Sequence, residues 1–492
     1  MSFGPWDPGP YWLVRFVLLR GISFLYLIAF LVALNQYRPL VGEDGILPMQ
    51  NYIERWDFRE RPSLFYFKPS DDVIEFAAWS GVLLSVIAIS GLPSAGGIVG
   101  YVLVWGLLWV LYLSFVNAGQ TFYGFGWESM LLETGFLAIF LGPIYMATPV
   151  IIIWLFRWLL FRNMFGAGLI KIRGDECWRD LTCMDYHYET QPMPNPISWF
   201  AHHFPTWLHR LAVIVNHFVE LLVPVFYFAP QPIAAIAGII TIGFQLWLML
   251  TGNFAFLNVL TLVLAFSTFS DDFITQFLPI VLPQPAPVSL PFQIAVWIVF
   301  SIVLILSYNP VKNMISSKQV MNTSFDPLNL VNTYGAFGSI TKTRYEIVIE
   351  ATDEQTVSNN TEWHQYRFKG KPTDISQRPP QVAPYHYRLD WQMWFAAMSP
   401  SPRRHPWFFG LIAHLLMGDQ DTHELLESVP FEDKSPEYIR AVRYRYRFST
   451  PEERKETGNW WQRERAGIYY GPVSLSDTRL QHALDRLNIS TS

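Results

Sequence analysis

The residues able to do chemistry crowd into the stretch 165–220. Lys171 follows Phe165-Gly166-Ala167-Gly168, a small-residue helix end suited to close packing. A lysine desolvated there gives up its proton more readily and can act as a base, while a structural or interfacial lysine is the plainer reading. Cys177 and Cys183 are the two cysteines of the chain, spaced C-x5-C. That is not the C-x2-C of a redox helix or a zinc knuckle, and no second Cys/His pair completes a tetrahedral set. Two readings remain, a local disulfide facing an oxidising compartment or a pair of buried thiols.

His202, His203, His209 and His217 follow, with Glu220 one helical turn after His217 inside the apolar run Leu208–Phe228. The spacing predicts a buried, hydrogen-bonded His217–Glu220 pair facing the interior of a bundle. It does not predict a metal site, since H-E-x-x-H is absent and adjacent His202 and His203 point different ways. No cofactor-binding pattern is read. Upstream, Glu128 and Glu133 border or enter an apolar run, where an acid costs a few kcal/mol and needs a partner or water. Glu128 reads equally as a residue of the membrane interface. Arg157 and Arg162 are accounted for by snorkelling to headgroups.

The elements that must position these residues are membrane helices. Of 492 residues, 51% are hydrophobic and only 15% charged, against roughly a quarter charged in an ordinary soluble protein. A net charge of −5 leaves nucleic acid without an electrostatic footprint, and two cysteines exclude a disulfide-dense secreted scaffold. No small-residue cleavage site follows the first apolar run, Tyr11 to Leu34, which is long enough to span. Further spans are expected at Val73–Ser90, Ile98–Val116, Trp127–Tyr145, Pro149–Ile170, Leu208–Phe228, Ile233–Leu250, Phe254–Phe269 and Leu290–Tyr308, about nine in all. The run 254–269 is expected to dip into the bilayer or to pack inside the bundle. Trp6, Tyr11, Trp12, Tyr101, Trp127 and Tyr145 sit at run ends, as interfacial anchors do. The fold class is therefore a polytopic α-helical bundle over 1–310 with polar loops at 35–72 and 169–205.

Beyond Val311 the apolar runs end, and 311–492 reads as a soluble, strand-rich α+β domain. Arg344 to Ala351 and Trp363 to Phe368 alternate as hairpin strands do. Tyr387 to Met398 and Pro406 to Met417 have helical spacing, the second lying on the bilayer or in the domain core. Ile439 to Phe448 alternates Arg with Tyr or Phe, giving one aromatic and one basic strand face.

The run GLIKIRGDECWRDLTCMDYHYETQPMPNPISW, ending at Trp199, resembles the signature of the lipase maturation factor family. VAPYHYR and LDWQMWFAA, within 382–397, resemble its second block, and Trp12 to Pro48 and Val331 to Glu350 also look familial. The resemblance covers nearly the whole chain. It implies a multi-pass membrane protein of the endoplasmic reticulum, or of the cell membrane if the host is bacterial, that assists folding and dimer assembly of secreted lipases. Client lipase polypeptides and the lipid bilayer are then the partners. It also implies that Trp178, Arg179, Asp180, Tyr186, His187, Tyr188, Asp390, Trp391 and Trp394 bind the client or hold the structure. An odd number of spans with a cytosolic N-terminus would place Cys177, Cys183 and the C-terminal region on the exported side, which agrees with a disulfide. The loop basic residues Arg38, Arg55, Arg59, Arg61 and Lys171 point to the opposite orientation.

A more distant resemblance links the membrane part to the transmembrane domain shared with the vitamin K-dependent gamma-carboxylase, the HTTM type, through Ala167, Gly168, Lys171 and Trp178. It implies an alternative, a membrane enzyme using Lys171 as base with His217 and Glu220 beside it, acting on a lipidic or quinone-like substrate. The cysteine-bearing, proline-rich continuation departs from that pattern, so carboxylation itself does not transfer. A thiol-redox role for Cys177 and Cys183 is the third reading.

Overall fold

The computed structural model describes residues 11–432 and 434–489; Trp6 lies outside them. Seven described helical segments are long and apolar enough to cross a membrane. They are α1 (Trp12–Val41), α2 (Asp71–Ser90), α3 (Gly97–Ala118), α5 (Val150–Arg173), α6 (Thr206–His217, continued by turns to Phe228), α7 (Ile233–Thr251) and α9 (Leu290–Leu306). Two expected spans form shorter helices, α4 (Gly126–Ile139) and α8 (Leu257–Ala265).

Hydrogen bonds at the two ends of the bundle show that α4 and α8 nevertheless run from one end to the other. At the first end, the Ile144 carbonyl after α4 accepts from Trp12 Nε1 (3.0 Å), and Asp271 after α8 accepts from the Leu13 amide (3.1 Å) at the start of α1. Gln231, between α6 and α7, donates to the Thr268 carbonyl (2.7 Å) at the same end. At the second end, Gln120 before α4 donates to the Leu47 carbonyl (2.8 Å) after α1, and Gln191 donates to the Thr251 carbonyl (3.0 Å) at the close of α7. Nine segments therefore traverse the bundle, and the two short ones are its core: every residue of α4 except Phe136 is buried. A helix sheathed by other helices need not match the hydrocarbon thickness, because its ends meet protein rather than lipid.

The C-terminal region caps the second end. Its sheet has the order β2 (His364–Gln365), β1 (Arg344–Thr352), β3 (Tyr438–Phe448), β4 (Trp461–Val473), antiparallel throughout, with Val348 opposite Val442. Along β3, Tyr446 and Phe448 are buried while Arg445 and Arg447 are exposed, which is the expected two-faced alternation. Helix α10 (Arg388–Ala397) and helix α11 (Trp407–Met417) follow the second connection. Nearly all of α11 is buried, so it belongs to the core and not to the bilayer surface.

Two expectations about charge are corrected. Arg157 and Arg162 do not snorkel. Arg157 donates inward to the Ser267 carbonyl (2.7 Å) and the Tyr227 carbonyl (3.2 Å), and Arg162 forms a buried ion pair with Glu133. Glu128 is not interfacial but fully buried, 2.8 Å from Arg388 Nη1 and bonded by the Tyr112 hydroxyl. A charge packed inside a helical bundle has no headgroup within reach, so it takes protein partners instead.

Arg162→Met leaves Glu133 buried without its guanidinium and should cost about 3–5 kcal/mol. The double change Arg162→Met with Glu133→Leu should cost less than the single one. Thermal unfolding in detergent micelles reads both, and equal losses would show that the pair itself does not hold this end together.

Candidate functional site

The site begins where α5 ends. Gly166 lies so close to the Tyr334 carbonyl that a Cβ would stand 2.5 Å from it, and a Cβ on Gly174 would stand 2.1 Å from the Gly338 carbonyl. The small-residue helix end thus lets the 334–338 chain lie directly on α5. Gly168 faces the Leu221 side chain in the same manner. The expected close-packing segment is real, and its partners come from far along the sequence.

After Gly174 the chain makes a tight knot. The Asp175 carboxylate accepts from the Cys177 amide (3.0 Å), capping the short helix Glu176–Arg179, and from the Ile340 amide (3.4 Å). Cys177 and Cys183 are joined as a disulfide and are both buried. The Cys177 carbonyl accepts from the amides of Thr182 (2.9 Å) and Cys183 (3.2 Å), so bond and backbone close the same loop. Trp178 is buried above that loop, its Nε1 donating to the Phe337 carbonyl (2.9 Å) and its ring 5.0 Å from Lys171 Nζ.

Lys171 Nζ donates to Glu220 Oε1 at 2.5 Å, and both side chains are buried. The expected His217–Glu220 pair is therefore not formed. His217 Nε2 instead meets the Trp178 carbonyl (3.0 Å). The reason is local: residues Phe218–Leu222 form a wide π turn ahead of Pro224, whose ring removes a backbone donor. The turn breaks the one-turn alignment of 217 with 220 and presents Glu220 to α5.

The remaining predicted residues divide by exposure. Arg179 and Asp180 are exposed, Arg179 donating to the Ile172 carbonyl (2.9 Å), and half-buried Tyr186 lies under Lys342 Nζ at 5.8 Å. His187 is buried against Phe254 and Phe337, and burial, then the charge of Lys171, lowers its pKa to about 3. Burial raises the Tyr188 hydroxyl to about 12. The Asp390 carboxylate accepts from the Gly370 amide (2.6 Å), and its burial raises its pKa to about 7. Trp391 packs edge-on against Trp127, with ring centroids 5.0 Å apart, and Trp394 Nε1 donates to the Thr190 carbonyl (3.0 Å). The structure thus brings 174–191 and 388–397 together, the latter mostly as scaffold.

Three contributors escaped sequence reading. Arg344, buried on β1, donates to the carbonyls of Glu189 (2.9 Å), Gln191 (2.5 Å) and Pro192 (3.3 Å), and so holds the proline-rich connection extended. Phe337 roofs both Trp178 and His187. Asn195 accepts from the amides of Ile197 and Ser198 (3.0 Å each). Buried carbonyls of a proline-rich segment need outside donors, since proline supplies none, and that requirement was the available signal for an arginine such as Arg344.

His187 stays neutral in the folded protein at pH values where it would be charged in the unfolded chain. Its contribution to stability is present above its ordinary pKa of 6.5 and is lost as pH falls toward about 3. At pH 5 the loss should reach about 2 kcal/mol. His187→Phe should flatten the pH 7 to pH 5 difference in melting by that amount, and an unchanged slope would refute it. Replacing both Cys177 and Cys183 by Ser should cost about 2 kcal/mol, as expected for so short a closed loop; the same melts measure it.

A family model described as the lipase maturation factor transmembrane domain matches residues 13–276, and one described as the lipase maturation factor C-terminal domain matches 330–471. Among curated relatives, Lipase maturation factor 1 of Homo sapiens is 43% identical over 96% of this chain and 89% of its own length. The Bos taurus protein of the same name is 42% identical over 96% of this chain and 91% of its own length. Lipase maturation factor 2 of Homo sapiens is 28% identical over 97% and 85%. No solved structure matches the chain. With both family models aligned to the bundle and to the cap that carry the disulfide knot, this chain belongs to the lipase maturation factor family.

Proposed function

We propose that this chain is a membrane-embedded assembly factor that assists folding, maturation and dimer assembly of secreted lipases, in the endoplasmic reticulum or the equivalent exported-side compartment of its host. The near full-length likeness to Lipase maturation factor 1 carries this reading. The client meets the end of the bundle that bears the disulfide, where Arg179, Asp180 and Tyr186 are open to it. Trp178, His187, Tyr188, Asp390 and Trp391 shape that surface from beneath, since each is buried. The bundle of 1–310 and the exported portion of 311–492 act together, because Glu128 and Glu133 of the one are bonded to Arg388 and Asn332 of the other.

The disulfide supports placing this end on the oxidising side of the membrane. No described contact favours the lysine-base alternative: Lys171 is tied to Glu220 as a bridge between α5 and the π turn.

Co-expression with a secreted homodimeric lipase, in cells stripped of their own maturation factor, should raise secreted active dimer several-fold. Unchanged dimer at equal membrane levels of this chain would sink the proposal. Orientation has its own test. Asn359-Asn360-Thr361 forms a glycosylation acceptor whose Asn359 is exposed. In microsomes it should acquire a glycan that endoglycosidase removes, and a protein left unmodified there would reverse the topology in favour of the loop charge bias.

A further inference from the structure

A cavity of about 410 Å³ lies between α5, α6 and α7, roofed by Phe337. That size is in the range of small-molecule sites. Its walls are overwhelmingly apolar, and its mouth is formed by Leu211, Val215, Gly243 and Trp247. All four are exposed on the flanks of membrane-crossing helices, so the mouth opens toward hydrocarbon and not toward either aqueous end. A Cβ built on Gly243 meets nothing within 4 Å. A helix-interior glycine is less stable than alanine, and here no close approach of backbone or side chain explains it. At this position the absent side chain leaves the gap between α6 and α7 clear.

The inner end of the cavity is polar and chemically one-sided. Glu220 Oε2 and Asn216 Oδ1 are buried without any hydrogen-bond partner, in residues only 4% and 5% exposed. Both are acceptors. Other polar groups on the wall have partners: Lys171 with Glu220 Oε1, Asn258 with Gln245 (2.7 Å), and His209 with Asp185 (2.8 Å). The Lys171–Glu220 pair cancels its own charge, and His187 stays neutral. The cavity thus offers two unmet acceptors, and it has no net charge to offer an ionic head.

We propose that this cavity binds one neutral, hydroxyl-headed lipid taken from the bilayer, its apolar body lying between α6 and α7 and its hydroxyls donating to Glu220 and Asn216. A fatty-acid carboxylate or a phosphate diester fails on both counts, bringing further acceptors and a negative charge against Glu220. A quaternary ammonium brings a second cation beside Lys171 and no donor. A monoacylglycerol has a single chain to enter the mouth and two hydroxyls for two acceptors. The site lies beneath the disulfide knot and its occupancy does not depend on the lipase-maturation reading.

The intact protein in phosphatidylcholine nanodiscs is irradiated with a long-chain monoacylglycerol carrying a diazirine on its chain, or with the fatty acid of the same chain. The monoacylglycerol should label peptides of α6 and α7 at least about tenfold more than the acid does, and unlabelled monoacylglycerol should compete. Gly243→Phe, whose Cβ would meet no atom within 4 Å and whose ring should narrow the mouth, should cut labelling about tenfold at an unchanged melting temperature. Asn216→Leu should remove the preference over the acid while leaving the bundle folded. Equal labelling by the two probes would mean simple partition, and that overturns the proposal. So does labelling that survives Gly243→Phe. If Gly243→Phe lowers the melting temperature, the Asn216→Leu comparison decides alone.

Discussion

Two carboxylates on one short helix hold this protein together. Glu128 and Glu133 both lie on α4, a helix buried almost throughout, and each is satisfied by groups that the chain delivers from a distance. Glu133 takes Arg162 from α5, the Asn332 amide (3.1 Å) and the Tyr334 hydroxyl (2.7 Å). Glu128 takes Tyr112 from α3 and Arg388 from α10, whose guanidinium lies flat on Tyr123 with 3.4 Å to the ring centroid. Burying a carboxylate costs several kcal/mol, which is recovered only when charge and hydrogen bonds are both met. The cap and the bundle therefore cannot part without exposing an unmet charge in a low-dielectric interior.

That constraint also bears on the knot at 174–205, which is made of short helices joined by irregular turns. Its carbonyls are taken up by Arg344 and Trp394, its Gln191 donates to the Thr251 carbonyl of α7, its disulfide closes the first turn, and its floor is the Lys171–Glu220 bridge. Arg344 comes from β1 and Trp394 from α10, so the knot is complete only where bundle and cap meet. The surface it presents is consequently fixed by tertiary packing.

The apolar cavity follows from the same geometry. The π turn at 218–222 pulls Glu220 toward α5, and α6 and α7 part around Gly243. Polar atoms that would be prohibitive in hydrocarbon are carried there because the bridge neutralises them and the cavity leaves room for a donor. Scaffold and pocket are two results of one arrangement of charges.

The sequence alone determined that about nine apolar runs would form the bundle, that a strand-rich region would follow, and that 165–199 and 382–397 would be the distinctive segments, because hydropathy, period and motif are local properties. It also marked Glu133, and Glu128 unless interfacial, as acids needing a partner or water, and Cys177 with Cys183 as a candidate disulfide. Which partners they take was decided only by the tertiary structure. His217 and Glu220 are separated by a π turn that helical spacing does not reveal. Arg157 and Arg162, which headgroups would satisfy on a lone helix, turn inward because protein partners lie on the faces of α5 packed against the bundle. Asn332 reaches Glu133 on α4 across 199 residues of chain, and Arg388 reaches Glu128 from still farther along it. A buried charge states in sequence that it must be paired, but the pairing is a property of three-dimensional proximity, and no local pattern carries it.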